Sequence, residues 1–180
     1  MTTALLVIDV QNGFNDPAWG TRNNPDAETN IAALTAAWRD SGDPIVLVRH
    51  DSNKADSPLR PGQPGNDLQP LLADVQPALL FGKTVNSAFL GDVDLDHWLG
   101  ERGITRVVVC GIQTNMCVET TARVGGNLGY DVIVPLDATH TFDLEGPGGI
   151  RLTASELARA TAVNLDGEFA RVVSTDDVVG

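Results

Sequence analysis

The sequence is poor in positive charge. It holds 12 lysines and arginines against 24 aspartates and glutamates, which gives a formal net charge of −12 and a sequence pI near 4.4. A surface of this kind repels polyanions over most of its area. The charge balance therefore predicts that neither nucleic acid nor an anionic membrane is a partner.

Long apolar runs are also missing. Nowhere do about 18 consecutive apolar residues occur, so a membrane-spanning helix is not expected. The apolar run at residues 4–8 lacks the basic start of a signal peptide, and Asp9 interrupts it at once. We therefore expect a cytoplasmic protein.

Cysteine is scarce, since Cys110 and Cys117 are the only two. Two cysteines are too few for a disulfide scaffold, and a structural zinc site needs about four ligands. Reduced thiols are expected. The chain has 180 residues, of which 42% are hydrophobic, and this size and composition predict a single domain, residues 1–180, with an ordinary buried core.

Short apolar runs alternate with helical patterns along the chain. The runs predict strands at residues 5–10, 44–48, 79–81, 105–110, 132–135 and 170–173. The helical patterns predict a helix at 25–41 with Asn24 as N-cap and Pro25 first, a short helix at about 93–102, and helices at 116–128 and 153–165, the last opened by Thr153 and Glu156 at capping-box spacing. This alternation predicts an α/β fold: a mostly parallel, doubly wound sheet of about six strands with helices on both faces.

Residues that follow directly after strands are the candidates for chemistry, because ligands of such sheets bind beyond the carboxyl ends of the strands. Asp9, His50, Lys83 and segment 111–117 occupy such positions. Cys117 is predicted in the first turn of a helix, and a helix N-terminus and a nearby ammonium both favour a thiolate. Lys83 can supply that ammonium, and Asp9 can accept the thiol proton and later pass it to a leaving amine.

Three separated segments resemble the isochorismatase-like cysteine hydrolase superfamily, which includes nicotinamidases and N-carbamoylsarcosine amidase. Residues 5–14 (LLVIDVQNGF) resemble the opening strand with its catalytic Asp, and Lys83 followed by residues 86–89 (NSAF) resembles the catalytic Lys segment. Residues 108–122 (VVCGIQTNMCVETTA) resemble the nucleophile segment, which is the most specific of the three. The order agrees, and the resemblance extends from Leu5 to Thr139.

The resemblance implies a role for each of these residues. Asp9 is then the general base and acid, Lys83 is the charge that lowers the thiol pKa, and Cys117 is the nucleophile. Cys117 forms a thioester-like intermediate that water hydrolyses after ammonia or an amine has left. The resemblance also implies a cis peptide at Ile112–Gln113, an oxyanion hole made by the backbone N–H groups of Gln113 and Cys117, and a homodimer or homotetramer.

The sequence departs from two branches of this superfamily. Nicotinamidases carry an Asp and two His after the second strand as metal ligands, whereas residues 49–51 (RHD) offer one His and the next, His97, lies in a predicted helix. We therefore expect no metal site and no cofactor. True isochorismatases, which cleave a vinyl ether, lack a Cys at the position of Cys117, so its presence favours hydrolysis of a C–N bond.

The predicted function is therefore metal-independent hydrolysis of an amide-type bond in a small molecule. Hydrolysis of a vinyl ether or an ester, and a non-catalytic binding module of the same fold, remain open alternatives. Phe14, Trp19 and His50 are candidate substrate contacts, although the two aromatic rings can equally cover the core and a lone His is often structural. Residues 52–70, which hold four of the ten prolines, predict a long loop beside the site.

Overall fold

The computed structural model describes residues 2–180. Its centre is a parallel β-sheet that lies between two layers of helices. The strands are β1 (Thr3–Ile8), β2 (Ile45–His50), β3 (Leu79–Lys83), β4 (Arg106–Ile112), β5 (Asp131–Pro135), β6 (Thr139–His140), β7 (Leu144–Glu145), β8 (Arg151–Leu152) and β9 (Arg171–Val173). The helices are α1 (Ala27–Ser41), α2 (Leu95–Gly100), α3 (Glu119–Asn127), α4 (Ala154–Leu165) and α5 (Asp176–Val179).

The order of the strands fixes the position of the site. The sheet runs β3-β2-β1-β4-β5-β9, with every neighbouring pair parallel, and the short β6 also pairs with β4. The chain winds outward from β1 to β3, returns to β4 and winds outward again to β9, so the strand order reverses between β1 and β4. The predicted doubly wound α/β fold is confirmed, and ligand sites of such sheets lie at this reversal.

Strand β1 is covered on both faces, which explains why its sequence is continuously apolar instead of alternating. Leu5 and Val7 face the core beneath α1, where they pack with Ile31 and Leu34. Leu6 and Ile8 face the opposite core, to which α2, α3 and α4 contribute. Within residues 2–180, no helix has both the length and the apolar content needed to cross a membrane.

The start of α1 differs from the prediction. The helix begins at Ala27 after Asp26, and not at Pro25. Asn24 has a φ of 53° and its side chain does not cap the helix, because its Nδ2 donates to the Thr139 carbonyl at 2.6 Å. This long-range bond ties the loop after β1 to β6, a contact that local pattern could not reveal. The capping box of Thr153 and Glu156 is present as predicted.

Two antiparallel strands lie outside the main sheet. β7 pairs with β8, and a short 3-10 turn, Pro147–Gly149, separates them. The sequence pattern predicted neither strand, because each has only two residues. The proline-rich loop 52–70 carries 3-10 turns at Pro64–Asn66 and Pro70–Leu72.

Candidate active site

The register of the strands places the side chains predicted to be catalytic at one edge of the sheet. Ile8 pairs with Val48 on one side and with Gly111 on the other, so Asp9, which follows Ile8, emerges between β2 and β4. His50, two residues beyond Val48, pairs with Lys83 at the end of β3. Side chains from three sequence-distant segments, Asp9, His50 and Lys83, therefore converge on the edge where strand order reverses.

Two residues at the point where strand order reverses have unusual backbone conformations. Gly111 has a φ of 118°, and a Cβ there would overlap the Ile8 carbonyl oxygen, so only glycine allows β4 to approach β1 this closely. Asp9 has a φ of 54°, in the left-handed region that non-glycine residues seldom adopt. Such a backbone is held only where surrounding structure enforces it, and it is common at functional sites.

Asp9 and Lys83 form a buried ion pair. Lys83 Nζ lies 2.6 Å from Asp9 Oδ2, and both side chains are fully buried. Burial raises the pKa of Asp9, and the Lys83 ammonium opposes that rise. The other carboxylate oxygen, Asp9 Oδ1, is buried and has no hydrogen-bond partner in the part of the chain that the structure describes. Asp9 therefore offers a free acceptor oxygen and a raised affinity for a proton.

Cys117 lies beside this ion pair. It is 7% exposed and sits in a π-helical turn, Thr114–Val118, which leads directly into α3. One donor atom each from Asp9, His50 and Cys117 lie within 4.8 Å of one another. The thiol also points to Asn86 Oδ1, at an S···O distance of 3.8 Å. The structure thus brings Asp9, Lys83 and Cys117 together.

The protonation state of the thiol differs from the expectation. Burial, followed by the Asp9 carboxylate, raises the pKa of Cys117 to about 12, and the Lys83 ammonium only partly offsets them. Lys83 does lower the thiol pKa, as expected, but the expectation of a thiolate in the free protein is wrong, because burial and the repulsion between the Asp9 carboxylate and a negative sulfur outweigh the ammonium. Cys110 is a free, buried thiol whose pKa is raised by burial alone.

His50 is a further member of the cluster. Its Nδ1 lies 3.4 Å from Lys83 Nζ. Because an ammonium can only donate, a hydrogen bond between them makes Nδ1 the acceptor and places the ring proton on Nε2. Burial and then the Lys83 charge lower the pKa of His50, so the imidazole is neutral at neutral pH.

A buried amide network holds the backbone of His50, and the sequence reasoning missed it. Gln11 Oε1 accepts from the His50 N–H at 2.8 Å, and Gln11 Nε2 donates to the His50 and Asn66 carbonyls at 3.1 and 2.8 Å. Asn66 Nδ2 in turn donates to the His50 carbonyl at 3.1 Å and to Leu59 at 2.8 Å. The network fastens loop 52–70 to the ends of β1 and β2. No local signal marked Asn66.

Phe14 and Trp19 belong to a different hydrophobic cluster from Cys117. With Phe142 they form an aromatic cluster, with ring centroids 5.1 Å apart for Phe14–Trp19 and 5.4 Å apart for Trp19–Phe142. Phe14 belongs to the core beneath α1, whereas Cys117 belongs to the core on the opposite face of the sheet. Covering the core accounts for both rings, and a role in substrate binding stays a prediction.

The segment before Cys117 has the backbone that the resemblance implied. The Ile112–Gln113 peptide is cis, and Gln113 is 9% exposed. The Gln113 carbonyl accepts from the N–H groups of Met116 and Val118 at 3.1 and 3.2 Å. These bonds fix Gln113 at the start of the turn that carries Cys117. An oxyanion hole at Gln113 and Cys117 stays a prediction.

Comparison with known proteins identifies the family. The profile described as "Isochorismatase domain" matches residues 3–177, so the chain belongs to the isochorismatase family and is a hydrolase of that family. It is 35% identical over 176 residues to the isochorismatase family protein YrdC of Bacillus subtilis (strain 168), covering 98% of this chain and 94% of that protein.

Two further relatives cover most of the chain. Nicotinamidase 3 of Arabidopsis thaliana is 30% identical, over 96% of this chain and 85% of its own length. A crystal structure of a hydrolase of the isochorismatase family from Chromobacterium violaceum superimposes with a TM-score of 0.93 at 40% identity, covering 99% of this chain and 92% of that one.

Proposed function

We propose that this hydrolase cleaves a C–N bond of a small amide-type substrate through a thioester on Cys117, and that it needs no metal ion. The observation that carries the proposal is the convergence of a buried carboxylate, a buried ammonium and a thiol at the reversal of strand order. These three groups provide a base, a countercharge and a nucleophile, which is the minimum set for acyl transfer.

In the resting state the thiol is protonated, because burial and Asp9 raise its pKa to about 12. Attack therefore requires removal of the proton as the bond to carbon forms. Asp9 suits this step, since its Oδ1 is unpartnered and burial raises its pKa towards that of a useful base. Lys83 stabilises the carboxylate before it accepts the proton.

Asp9, Lys83 and Cys117 can carry out the proposed reaction with every proton accounted for. Cys117 Sγ attacks the carbonyl carbon as Asp9 takes the thiol proton, and the carbonyl oxygen becomes an oxyanion facing the N–H groups of Gln113 and Cys117. The oxyanion collapses to a thioester while protonated Asp9 gives its proton to the leaving nitrogen. Water next attacks the thioester carbon as Asp9 accepts a proton from it. The C–S bond then breaks, the carboxylic acid leaves, and Asp9 returns the proton to Cys117 Sγ.

The relatives support the reaction class without defining the substrate. The plant relative is named a nicotinamidase, and an amide is the bond class that this chemistry suits. The single His at residues 49–51 differs from the Asp and two His that the superfamily's nicotinamidases use to bind metal, which is why we propose a reaction without one. The substrate should contact loops 12–23 and 51–67, and His50, the last residue of β2, directly precedes the second.

The test is a screen of small amides for release of ammonia or amine, run on the wild type and on Cys117→Ala. We expect turnover of at least one amide by the wild type and none by the variant. Cys110→Ala is the matched control, because it removes the other thiol, which packs in the core on the opposite face of the sheet from Cys117, and should retain activity. Full activity of Cys117→Ala on a substrate of the wild type would contradict the mechanism.

The same screen separates the alternatives. Isochorismate and simple esters are included as competing substrates, and selective turnover of either would replace the amide with a vinyl ether or an ester. Binding of small amides without turnover of any compound would favour a non-catalytic module.

A further inference from the structure

We propose that Asn86 makes the site selective for substrates that carry an N–H group on the scissile bond, because its side-chain oxygen accepts a hydrogen bond from that N–H. An ester has no such hydrogen, so Asn86 favours amides over esters. The catalytic part of this inference rests on the proposed function. Recognition of an N–H group beside the thiol requires no turnover and does not rest on it.

The side chain of Asn86 faces the nucleophile. Its Oδ1 lies 3.8 Å from Cys117 Sγ, and the thiol, which is protonated in the resting state, donates to this oxygen. Within residues 2–180, the Asn86 side chain has no other hydrogen-bond partner. When the thiol gives its proton to Asp9, Asn86 Oδ1 loses its donor. The oxygen is then free to accept a hydrogen bond from the substrate.

The segment that carries Asn86 is held on both sides. Lys83, three residues earlier, is the last residue of β3 and is fully buried in its ion pair. Two residues after Asn86, the Ala88 N–H donates to Thr121 Oγ1 at 3.0 Å, and both Ala88 and Thr121 are fully buried. Thr121 belongs to α3, the helix that continues from the turn with the thiol. These buried contacts therefore fix the position of Asn86 relative to the nucleophile.

Asn86 is also accessible to a substrate. Its side chain belongs to an exposed residue, whereas Cys117 is only 7% exposed. A small molecule that reaches the sulfur from solvent can therefore contact the Asn86 side chain at the same time. A polar side chain in this position can read the group next to the bond that is cleaved.

The proposed reaction brings an N–H group to this oxygen. The scissile nitrogen is bonded to the carbon that sulfur attacks, so one atom separates nitrogen from sulfur once the C–S bond has formed. An oxygen 3.8 Å from the sulfur is then within reach of a hydrogen bond of about 2.7–3.2 Å from that nitrogen.

This hydrogen bond strengthens as the C–N bond breaks. Asp9 passes its proton to the leaving nitrogen, which becomes more positive, and hydrogen bonds from charged donors are about twice as strong as those between neutral groups. Asn86 therefore stabilises the transition state of C–N cleavage more than the bound substrate, which raises the rate for amides. The oxygen of a leaving alcohol has no N–H to donate before it is protonated.

The first experiment needs no turnover. Cys117 is alkylated with iodoacetamide and, separately, with methyl iodoacetate, in which an O–CH₃ group replaces the NH₂ group. In both reactions an S–C bond forms, the C–I bond breaks, iodide leaves and the thiol proton passes to solvent. Mass spectrometry of the peptide that carries Cys117 gives each rate constant. The ratio of the two is divided by the ratio for free N-acetylcysteine, so changes in the thiol pKa cancel.

We expect the wild type to favour the amide reagent by about fivefold, the effect of one neutral hydrogen bond. Asn86→Leu has a side chain of similar size without an acceptor and should lose this preference. Asn86→Asp retains an acceptor oxygen and should keep it. Asn127→Leu is the matched control, because Asn127 is the exposed last residue of α3, ten residues beyond the thiol, and the preference should not change.

The second experiment uses any amide found in the screen and its matched ester. Asn86→Leu should lower kcat/KM for the amide about fivefold more than kcat/KM for the ester, and Asn86→Asp should restore the ratio towards that of the wild type. Equal alkylation preference in the wild type and Asn86→Leu overturns the proposal. Loss of the preference in Asn86→Asp also overturns it, because the Asn86 N–H group would then be the one that matters.

Failure of this proposal differs from failure of the proposed function. Amide-selective alkylation that depends on Asn86, with no turnover of any amide, supports the role of Asn86 in recognition and removes the proposed function. Turnover of an amide by the wild type, with an unchanged amide-to-ester ratio in Asn86→Leu, keeps the proposed function and removes the role of Asn86.

Discussion

Replacement of Lys83 by Met is the most informative perturbation of stability, because it leaves Asp9 buried with no countercharge. Both partners are fully buried and 2.6 Å apart. Removing one partner of such a pair costs about 3–5 kcal/mol of the free energy of unfolding, whereas replacing both with neutral groups is often nearly neutral. We therefore expect a large loss in Lys83→Met and in Asp9→Asn, and recovery towards wild type in the double variant.

The loss in Lys83→Met should depend on pH with a definite sign. Burial raises the pKa of Asp9 in the folded protein, and without the ammonium the pKa rises further. A carboxyl group whose pKa is raised by folding contributes stability at low pH that is lost as the pH rises through the folded-state pKa. The deficit relative to wild type should therefore be larger at about pH 8 than at about pH 5.

Urea unfolding followed by circular dichroism measures each free energy. Arg151→Met is the control, because its ion pair with Glu145 is exposed, at 82% and 57%, and should contribute no more than about 1 kcal/mol. Losses in the two single variants that simply add in Asp9→Asn/Lys83→Met would refute the coupling inferred from the structure, and so would a pH-independent deficit in Lys83→Met.

Three further predictions follow from the same edge of the sheet. Gly111→Ala should lower the free energy of unfolding by more than about 4 kcal/mol, because the added Cβ would overlap the Ile8 carbonyl oxygen of β1. In the control, Gly100→Ala, the added Cβ meets no neighbouring atom, so the free energy of unfolding should change by no more than about 1 kcal/mol. Urea unfolding measures both variants. Asp9→Asn should lower the pKa of Cys117, because the Asp9 carboxylate raises that pKa. The pKa is measured from the absorbance of the thiolate, with Cys117→Ala as the blank, and an unchanged or higher value would contradict this cause. Titration by NMR should place the pKa of His50 below its usual 6.5, since burial and the neighbouring ammonium both lower it; a value above 6.5 would show that the nearby carboxylates dominate.

Much of the fold could be predicted because its signals are local. A continuous apolar run predicted the strand at residues 5–10, which is covered on both faces. Thr153 and Glu156 predicted the start of α4. The reversal of strand order followed from the alternation of strands and helices, and Asp9, Lys83 and Cys117 followed from their positions after strands and from the resemblance. These features depend on residues close together in sequence.

The features that were missed depend on long-range contacts. Asn24 is a residue type that often caps helices, but its side-chain amide donates a hydrogen bond to the Thr139 carbonyl, 115 residues away. The network of Gln11 and Asn66 around His50 joins residues 55 positions apart. The pKa of Cys117 was expected to fall because a helix N-terminus and the Lys83 ammonium were weighed without the burial of the thiol. Only the coordinates reveal that burial and the Asp9 carboxylate outweigh the ammonium.

The most direct test of the central claim is to look for the covalent intermediate. Wild-type protein is mixed with an amide that it hydrolyses, quenched in acid within a turnover, and its intact mass and peptide map are recorded. We expect an acyl group on the peptide that carries Cys117, with the amine already released, and no adduct on Cys110. Turnover with no acyl adduct on Cys117 at any time, in a protein whose Cys117→Ala variant is still active, would contradict the account.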